Sequence, residues 1–246
     1  MSCYTCVEVC PYHSAYKKDS KVAFDFKVCL ACEHKPCVDN CNSEALMRVG
    51  RNVTADEVVE IVKKDIDFYR NSGGGVTFTG GEPLSQPAFL KAMLQLCKEA
   101  NIHTAIETCG YADTEDLKNI IPFTDLFLFD LKIINSNIHE KYTGKPNEII
   151  LKNLKLITAS GTPLIARYPL IPGITDIPAN IKQIAEVSAM AGVKEINLEP
   201  YNPLGEEKYV EFGFAVKPAF DSFYTKAELD KIAACFNVKG IACLPA

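Results

Sequence analysis

The amino-acid sequence predicts an α/β protein built around a parallel β-sheet. From about residue 50 onward, short apolar runs alternate with amphipathic segments of helical length, and five such β–α units are clear. This alternation is typical of parallel strands joined by right-handed helical crossovers. Polar residues follow each predicted strand. Because the carboxyl ends of parallel strands meet at one edge of the sheet, we expect a binding site there.

Composition and charge limit the classes of function and partner that the protein could have. The chain has 246 residues, of which 48% are hydrophobic and 23% charged, and its formal net charge is −5. This charge gives no reason to expect a nucleic acid or an anionic membrane as a partner. No apolar run approaches the roughly 20 residues of a membrane-spanning helix, and the first residues do not resemble a signal peptide. We therefore expect a cytoplasmic protein.

Two closely spaced cysteine runs mark the amino-terminal region. Seven of the 11 cysteines lie here, namely Cys3, Cys6 and Cys10, followed by Pro11, and then Cys29, Cys32, Cys37 and Cys41. Without a signal segment, such runs favour metal ligation over disulfides. Both resemble the two-cluster ferredoxin pattern C-x2-C-x2-C-x3-C-P, in which the last cysteine of each run binds the other cluster.

This resemblance implies 4Fe–4S sites in a ferredoxin-like insert over residues 1–49. One cluster takes Cys10, Cys29, Cys32 and Cys37, and the other takes Cys3, Cys6 and Cys41 and lacks a fourth ligand. A cysteine at the expected spacing would fall just before Met1, so we expect that the chain has lost its true beginning. A pair of zinc sites is the alternative. It is disfavoured because His13 and His34 are not placed as a Cys2His2 site requires, and both are expected in exposed loops.

The elements of the β–α region follow in order, starting with a helix that the capping box Thr54–Glu57 opens. The predicted strands cover residues 76–79, 103–108, 125–132, 164–170 and 195–199, with a final short strand at 241–244. The predicted helices cover residues 85–100, a segment from about 114, residues 148–158 and 178–191, and a last segment capped by Thr225–Glu228. The other cysteines are expected to be buried small hydrophobic residues: Cys97, Cys109, Cys235 and Cys243.

Each of the five strands ends in residues that suit a small polar ligand. The first runs through Thr79 into Gly80-Gly81-Glu82, where two glycines allow close approach to the backbone and Glu82 supplies a carboxylate. The later strand ends carry Glu107 and Thr108, Asp130 with Lys132, Arg167, and Asn202. Any one of them could be a solvated strand end. Five in register favour a shared site.

Several segments resemble, in order, one enzyme family. GGGVTFTGGEP, IETCG, LFLFDLK, ARYPLIPGITD and LEPYNPLGEEKY resemble the glycyl-radical-enzyme activating enzymes of the radical S-adenosylmethionine superfamily, which includes pyruvate formate-lyase activating enzyme. The resemblance covers nearly the whole chain, and the subgroup with a two-cluster ferredoxin-like insert fits the amino-terminal cysteines. It implies a partial (β/α)6 barrel over residues 50–246, here without its first strand.

The resemblance also implies an activity. In this family a 4Fe–4S cluster on a CxxxCxxC loop binds S-adenosylmethionine, and one electron cleaves it to methionine and a 5′-deoxyadenosyl radical. The radical removes a hydrogen atom from a backbone glycine of a large partner, the glycyl radical enzyme. Flavodoxin or ferredoxin is the implied electron donor, and the reaction belongs to anaerobic metabolism. The chain is therefore expected to be an oxidoreductase.

Matching positions imply the roles of the strand-end residues. Gly80, Gly81 and Glu82 would receive the ammonium group of the cofactor, and Thr79 is a further cofactor-binding residue. Glu107 and Thr108 would lie beside the cofactor's carboxylate. Asp130 and Lys132 would contact the ribose and carboxylate side, and Arg167 would add a polar contact. Lys132 and Arg167 are the candidate catalytic residues. Asn202 stands where many relatives carry a histidine that touches the cofactor.

One departure from the family bears on activity. No CxxxCxxC sequence occurs in the 246 residues, and the nearest approach, Cys6-x3-Cys10, has His13 where the third cysteine belongs. We therefore expect that the chain as given does not generate the radical. The alternative function is a non-catalytic iron–sulfur protein that keeps the fold for electron transfer or docking. A radical enzyme that acts on a small molecule is disfavoured by the Asp130–Lys132 and Arg167–Gly173 segments, which resemble the activating enzymes in particular.

Overall fold

The computed structural model describes residues 3–203 and 224–245. The described residues up to Asn52 form one compact unit. Those from Val53 to Tyr201, together with those from residue 224 onward, form a second unit. The predicted division at residues 49 and 50 stays a prediction. No helix in the described ranges is long and apolar enough to cross a membrane.

The first unit consists of short helices around a two-stranded ribbon. Its elements are α1 (Thr5–Glu8), β1 (Ala15–Lys18), β2 (Lys21–Phe24), α2 (Phe26–Ala31) and α3 (Pro36–Asp39). The ribbon is antiparallel, with Ala15 opposite Phe24, and its two-residue turn places Asp19 and Ser20 at positive φ. Asp25 then caps α2 by accepting a hydrogen bond from the backbone N–H of Lys27.

The second unit alternates strands and helices. Its elements are α4 (Ala55–Val62), α5 (Ile66–Ser72), β3 (Gly75–Phe78), α6 (Pro87–Glu99), β4 (His103–Thr108), α7 (Thr114–Ile120), β5 (Leu126–Asp130), α8 (Ser136–Thr143), α9 (Glu148–Ser160), β6 (Leu164–Leu170), α10 (Pro178–Ala191), β7 (Glu195–Pro200), α11 (Lys226–Asn237) and β8 (Ala242–Pro245). Single 3-10 turns lie at Lys63–Asp65, Pro83–Ser85 and Ile121–Phe123.

All six strands of this unit are parallel and pair in chain order, from β3 to β8. Each crossover therefore joins neighbouring strands, as right-handed β–α–β units do. Within the described residues β3 and β8 are the two edges, so the sheet is open rather than a closed barrel. The predicted α/β class and parallel sheet are confirmed.

The two faces of the sheet differ in polarity. Phe127, Phe129 and Tyr168 are completely buried and belong to the large hydrophobic core that the helices share. The residues between them along β5 and β6 are only half-buried and include Asp130 and Arg167. Because side chains alternate along a strand, one face forms the core and the other is left to present polar groups.

Most predicted boundaries hold within two residues, and both capping boxes are present at Thr54 and Thr225. Two helical features were not predicted. The helix that Thr54 opens is interrupted at Lys63–Asp65 before α5, and α8 is an additional helix between β5 and α9. Its sequence, SNIHEKYT, has little apolar periodicity, and its ends are set by the Asn135 cap and by Gly144 at positive φ.

Candidate functional site

A cavity of about 140 Å³ lies at the carboxyl ends of β3, β4 and β5. It is lined by Thr79, Gly81, Glu82, Glu107, Thr108, Cys109, Asp130 and Lys132. All of these except Cys109 belong to the predicted site. The convergence that the strand-end pattern predicted is therefore present for the first three strands of the sheet.

Glu82 uses both of its carboxylate oxygens within the protein. Oε1 accepts hydrogen bonds from the Leu84 backbone N–H at 3.0 Å and from the Thr108 hydroxyl at 2.6 Å. Oε2 accepts from the Cys109 backbone N–H at 2.9 Å. This carboxylate therefore ties the loop after β3 to the end of β4. The prediction gave Glu82 a direct role toward a ligand, and the geometry adds a structural one.

Gly80 and Gly81 both have positive φ, at 91° and 55°, which is the conformation that favours glycine. A Cβ added to either one would meet no atom of the described residues within 4 Å. Glycine is thus required here by the backbone turn. The space beside the loop is open, and Gly81 faces the cavity.

The charged side chains on the polar face of the sheet form ion pairs with one another. Lys132 Nζ lies 3.0 Å from Asp130 Oδ2. Arg167 reaches across β5 to Glu107, with an Nη1–Oε1 distance of 2.5 Å, and its Nε lies 3.2 Å from Glu199 Oε1. Burial disfavours the charged guanidinium, but the carboxylates of Glu199, Glu107 and Asp130 outweigh it and raise the pKa of Arg167.

Three predicted residues do not line the cavity, namely Gly80, Arg167 and Asn202. Arg167 does not line the cavity and acts on it through Glu107. Asn202 is grouped with the first unit, and its role toward a cofactor stays a prediction. Glu199 was not predicted. The sequence signal for it was present, because the alternation along β7 puts Glu199 on the same face as Asn197, the register partner of Arg167.

Asn180 is a second residue that the sequence analysis missed. It is buried in the first turn of α10, where its side-chain oxygen accepts from the Ile134 N–H at 3.0 Å. Its amide nitrogen lies 2.9 Å from the Lys132 carbonyl oxygen and 3.1 Å from the Tyr168 hydroxyl. Asn180 therefore fixes the backbone that carries Lys132. Nothing in its local sequence distinguishes it from an ordinary helix residue.

The four cysteines outside the amino-terminal runs differ in environment. Cys97 is buried, as predicted, whereas Cys109 and Cys243 are partly exposed. Cys235 is exposed, so the prediction that it is buried is wrong; it lies near the carboxyl end of α11 and lines a groove between α10 and α11. Burial and a hydrogen bond with Glu82 raise the pKa of Cys109 to about 11, which keeps its thiol protonated near neutral pH.

The amino-terminal cysteines gather in the two predicted sets. One small cavity is lined by Cys10, Cys29, Cys32 and Cys37 together with Ser14 and Lys35. A second is lined by Cys3, Cys6 and Cys41. His13 and His34 are exposed and line neither cavity.

The environment of Cys10 suits a metal ligand. Burial raises the pKa of its thiol, but the Ser14 hydroxyl and the backbone N–H groups of Ala15, Tyr12 and Ser14 together lower it to about 7. Within the described ranges, no three potential ligands meet closely enough to hold a single metal ion. A 4Fe–4S cluster instead takes each cysteine on a separate iron, so four thiols around one cavity fit such a cluster.

Comparison with known proteins gives a family for this arrangement. The family profile described as the Radical SAM superfamily matches residues 6–198. The isethionate sulfite-lyase activating enzyme of Nitratidesulfovibrio vulgaris is 40% identical over 210 residues, which are 84% of this chain and 68% of that protein. The trans-4-hydroxy-L-proline dehydratase activating enzyme of Clostridioides difficile is 37% identical over 210 residues, covering 84% of this chain and 69% of that protein.

Solved structures agree with this match. A domain of pyruvate-formate lyase-activating enzyme from Bacteroides vulgatus has a TM-score of 0.59 and 30% identity, covering 70% of this chain and 99% of that one. SuiB of Streptococcus suis, solved with S-adenosylmethionine, has a TM-score of 0.62 at 15% identity over 81% of this chain and 45% of that one, a likeness of fold alone.

Proposed function

Since the chain belongs to the glycyl-radical-enzyme activating enzymes of the radical S-adenosylmethionine superfamily, we propose that the cavity at the ends of β3, β4 and β5 binds S-adenosylmethionine. Members of this family are oxidoreductase-type enzymes, and their iron–sulfur chemistry depends on this cofactor. The observation that carries the proposal is the convergence of carboxylates, an ammonium group and an open glycine turn on one cavity.

The charges of the cavity are complementary to this cofactor. S-adenosylmethionine carries a positive sulfonium and a zwitterionic methionine end, which call for carboxylates near the cations and a cation or N–H groups near the carboxylate. Glu107 and Asp130 supply the negative charges, and Lys132 supplies the positive one. In this proposal the backbone of Thr79–Gly81 receives the cofactor ammonium, while Glu82 holds that loop in place.

Positioning residues complete the proposed site. Arg167 pairs with Glu107 and Glu199 and so fixes one carboxylate of the cavity. Asn180 fixes the backbone at Lys132. Lys132 is proposed to touch the cofactor directly, whereas Arg167 acts through Glu107. Asn202 is kept as a proposed contact on the strength of its match to the family pattern.

When bound, a reduced 4Fe–4S cluster and S-adenosylmethionine supply the radical chemistry of this family. The 246 residues contain no CxxxCxxC sequence, so no step through such a cluster is assigned to them. We propose that this chain's own residues bind and orient the cofactor and shield it from water. Cysteines of residues 1–49 are proposed to hold ferredoxin-like 4Fe–4S clusters, which would supply electron transfer. Flavodoxin or ferredoxin is the proposed electron donor, and the proposed partner is the glycine loop of a glycyl radical enzyme.

Cofactor binding can be tested by calorimetry on the anaerobically purified protein. We expect S-adenosylmethionine to bind and Asp130→Asn to weaken binding by about tenfold, since a charge-assisted contact is worth roughly 1.5–3 kcal/mol. S-adenosylhomocysteine, which lacks the sulfonium charge, should bind more weakly. Glu115→Gln is the matched control, because Glu115 is an exposed carboxylate in α7 that pairs with Lys118 on the same helix. Equal affinity for Asp130→Asn and the unchanged protein would contradict the proposed site.

The alternative, a non-catalytic iron–sulfur protein for electron transfer or docking, is favoured by the lack of a CxxxCxxC sequence in the 246 residues. The same preparation separates the two functions. About four irons per chain, together with S-adenosylmethionine binding, supports the cofactor-binding proposal. Iron without any binding of the cofactor supports the alternative. Zinc without visible absorbance would exclude iron–sulfur clusters at the amino-terminal cysteines, which both functions assume.

A further inference from the structure

Ser14 lies between two of the cysteines that line one cavity. Its side chain is only 5% exposed. Its hydroxyl oxygen lies 3.2 Å from the Cys10 sulfur and 3.4 Å from the Cys29 sulfur. These two cysteines come from different runs of the sequence, and Ser14 is the polar side chain that joins them. Its backbone is also fixed, because the Ser14 carbonyl accepts from the Asp25 N–H at 2.8 Å beside the β1–β2 ribbon.

The hydroxyl changes its role when the cysteines bind iron. Cysteine binds metal as the thiolate, so Cys10 and Cys29 would then be acceptors only. Ser14 would be left as the donor between them. A hydroxyl has one proton and can serve one sulfur at a time, and Cys10 is the nearer. Burial protects this hydrogen bond from competition by water.

Lys35 places a positive charge at the same cavity. Its ammonium group donates to the backbone carbonyl of Cys29 at 2.6 Å and also to that of Cys32. Lys35 itself has a φ of +49° at the start of α3, a conformation that costs energy for any residue with a side chain. These contacts hold the charge beside the cysteine loop rather than in bulk solvent.

We propose that Ser14 and Lys35 raise the reduction potential of the cluster held by Cys10, Cys29, Cys32 and Cys37, an inference that rests on the iron–sulfur sites proposed above. One-electron reduction adds a negative charge to a cluster. A hydrogen bond to a ligand sulfur and a nearby ammonium group both stabilise that added charge, and such contacts are among the factors that set cluster potentials.

Among the residues that the structure describes, the second cysteine set has no equivalent of Ser14 and Lys35. Its hydroxyl contacts, between Cys41 and Ser43 at 3.6 Å and between Thr5 and Cys3 at 3.5 Å, are at exposed positions where water competes. The two cysteine sets therefore differ in how well their hydroxyl contacts are shielded from water. Substitutions at Ser14 and Ser43 should accordingly have different effects on the reduction potential. Ser43→Ala is the matched control for loss of a hydroxyl next to a cysteine.

A redox titration of the anaerobically reconstituted protein, followed by electron paramagnetic resonance, tests the role of Ser14. A Cys6→Ala background disables the second cysteine set, leaves one complete four-cysteine set and keeps the Cys41–Ser43 contact that the control requires. In Ser14→Ala we expect the ratio of reduced to oxidised cluster at a given potential to fall about tenfold, the loss of one hydrogen bond to a charged group. For a one-electron couple this is a shift of about 59 mV to more negative potential. Ser43→Ala should leave the midpoint unchanged.

A second pair of variants distinguishes loss of the hydroxyl from misfolding. Ser14→Thr and Ser14→Val have the same shape and differ only in the hydroxyl, so the first should retain the potential and the second should show the shift. For Lys35→Gln we expect a negative shift that shrinks as the salt concentration rises, because salt screens the charge. Lys18→Gln, at an exposed lysine of β1, is its control.

The outcomes separate this inference from the proposed function. Equal midpoints for Ser14→Thr and Ser14→Val at equal iron content would overturn the inference while leaving the iron–sulfur assignment intact. Failure of the unchanged protein to incorporate iron would overturn the proposed amino-terminal clusters. A shift in the Ser43→Ala control as large as that in Ser14→Ala would also contradict the inference, because it would show that the effect is not specific to the buried hydroxyl.

Discussion

At the scale of single residues, both carboxylate oxygens of Glu82, just after β3, accept hydrogen bonds from the protein itself. Three donors, the N–H groups of Leu84 and Cys109 and the hydroxyl of Thr108, occupy its two oxygens. Thr108 in turn accepts from the Gly110 N–H at 2.8 Å. This chain of hydrogen bonds fixes the ends of β3 and β4 relative to each other and so shapes one side of the cavity.

Cys109 gives a pH-dependent prediction at this scale. Its folded-state pKa of about 11 lies above the usual value of 9.0, so the folded protein keeps this thiol protonated through the range where an unfolded cysteine ionises. Because the thiolate is the form that reacts, alkylation of Cys109 should stay slow at pH 8 and rise about tenfold per pH unit up to pH about 11. Peptide mapping by mass spectrometry after timed alkylation measures the rate.

The sign of the linked stability change follows from the same pKa. Between pH 9 and about 11 the folded state binds the Cys109 proton more tightly than the unfolded state does, so this group makes the protein less stable as the pH rises. Alkylation in urea supplies the reference rate. Equal rates for Cys109 in the folded and unfolded protein at pH 8 would show that its environment does not protect the thiol.

At the scale of secondary-structure elements, the first turn of α10 is tied to the loop after β5. Asn180 bonds the backbone of that loop at both Lys132 and Ile134. The backbone N–H of Leu131 also donates to the Arg167 carbonyl at 2.8 Å, which extends the β5–β6 pairing by one residue. The position of Lys132 at the cavity therefore depends on an element that lies 48 residues further along the chain.

Substitution of Asn180 tests this dependence. We expect Asn180→Ala to lower the free energy of unfolding by about 1–3 kcal/mol, because it leaves buried backbone groups without partners. The affinity for S-adenosylmethionine should fall as well, since Lys132 loses its support. Urea denaturation and calorimetry measure the two effects.

The control is Asn119→Ala, which removes an exposed amide that bonds the Glu115 carbonyl within α7. It should change neither quantity by more than a few tenths of a kcal/mol, as is usual for surface substitutions. A loss of stability in Asn180→Ala without any loss of affinity would restrict Asn180 to a structural role.

At the scale of the second unit as a whole, the ion pairs of Arg167 connect three strands of the sheet. Arg167 on β6 contacts Glu107 on β4 and Glu199 on β7, and it passes over β5 to do so. Neighbouring strands are about 4.8 Å apart, so this contact spans about 10 Å across the polar face.

Removal of this side chain is expected to weaken the sheet. In Arg167→Met two half-buried carboxylates would lose their common cation. The cost should lie between the roughly 1 kcal/mol of an exposed pair and the roughly 3–5 kcal/mol of a fully buried one. Thermal and urea denaturation measure it, and Arg70→Met, at an exposed pair with Asp67, is the matched control. Equal stability of both variants would show that the Arg167 pairs contribute nothing beyond a surface contact.

The sequence by itself determined the order of strands and helices, the two capping boxes and the residues at the strand ends. These features depend on periodicity and on contacts within a few residues, which a single sequence displays directly. The same holds for the grouping of the amino-terminal cysteines, because their spacing follows a known ligand pattern.

Only the tertiary structure decided which of these groups are available and what supports them. The engagement of Glu82 by Thr108, the pairing of Arg167 with Glu199 and the position of Ser14 between Cys10 and Cys29 join residues 26, 32 and 15 positions apart. The α8 helix was missed because its sequence has little apolar periodicity, and the Asn135 cap and Gly144 at its ends are weak signals on their own. Contacts between residues distant in the chain depend on how segments register against one another in space, and no local pattern encodes that register.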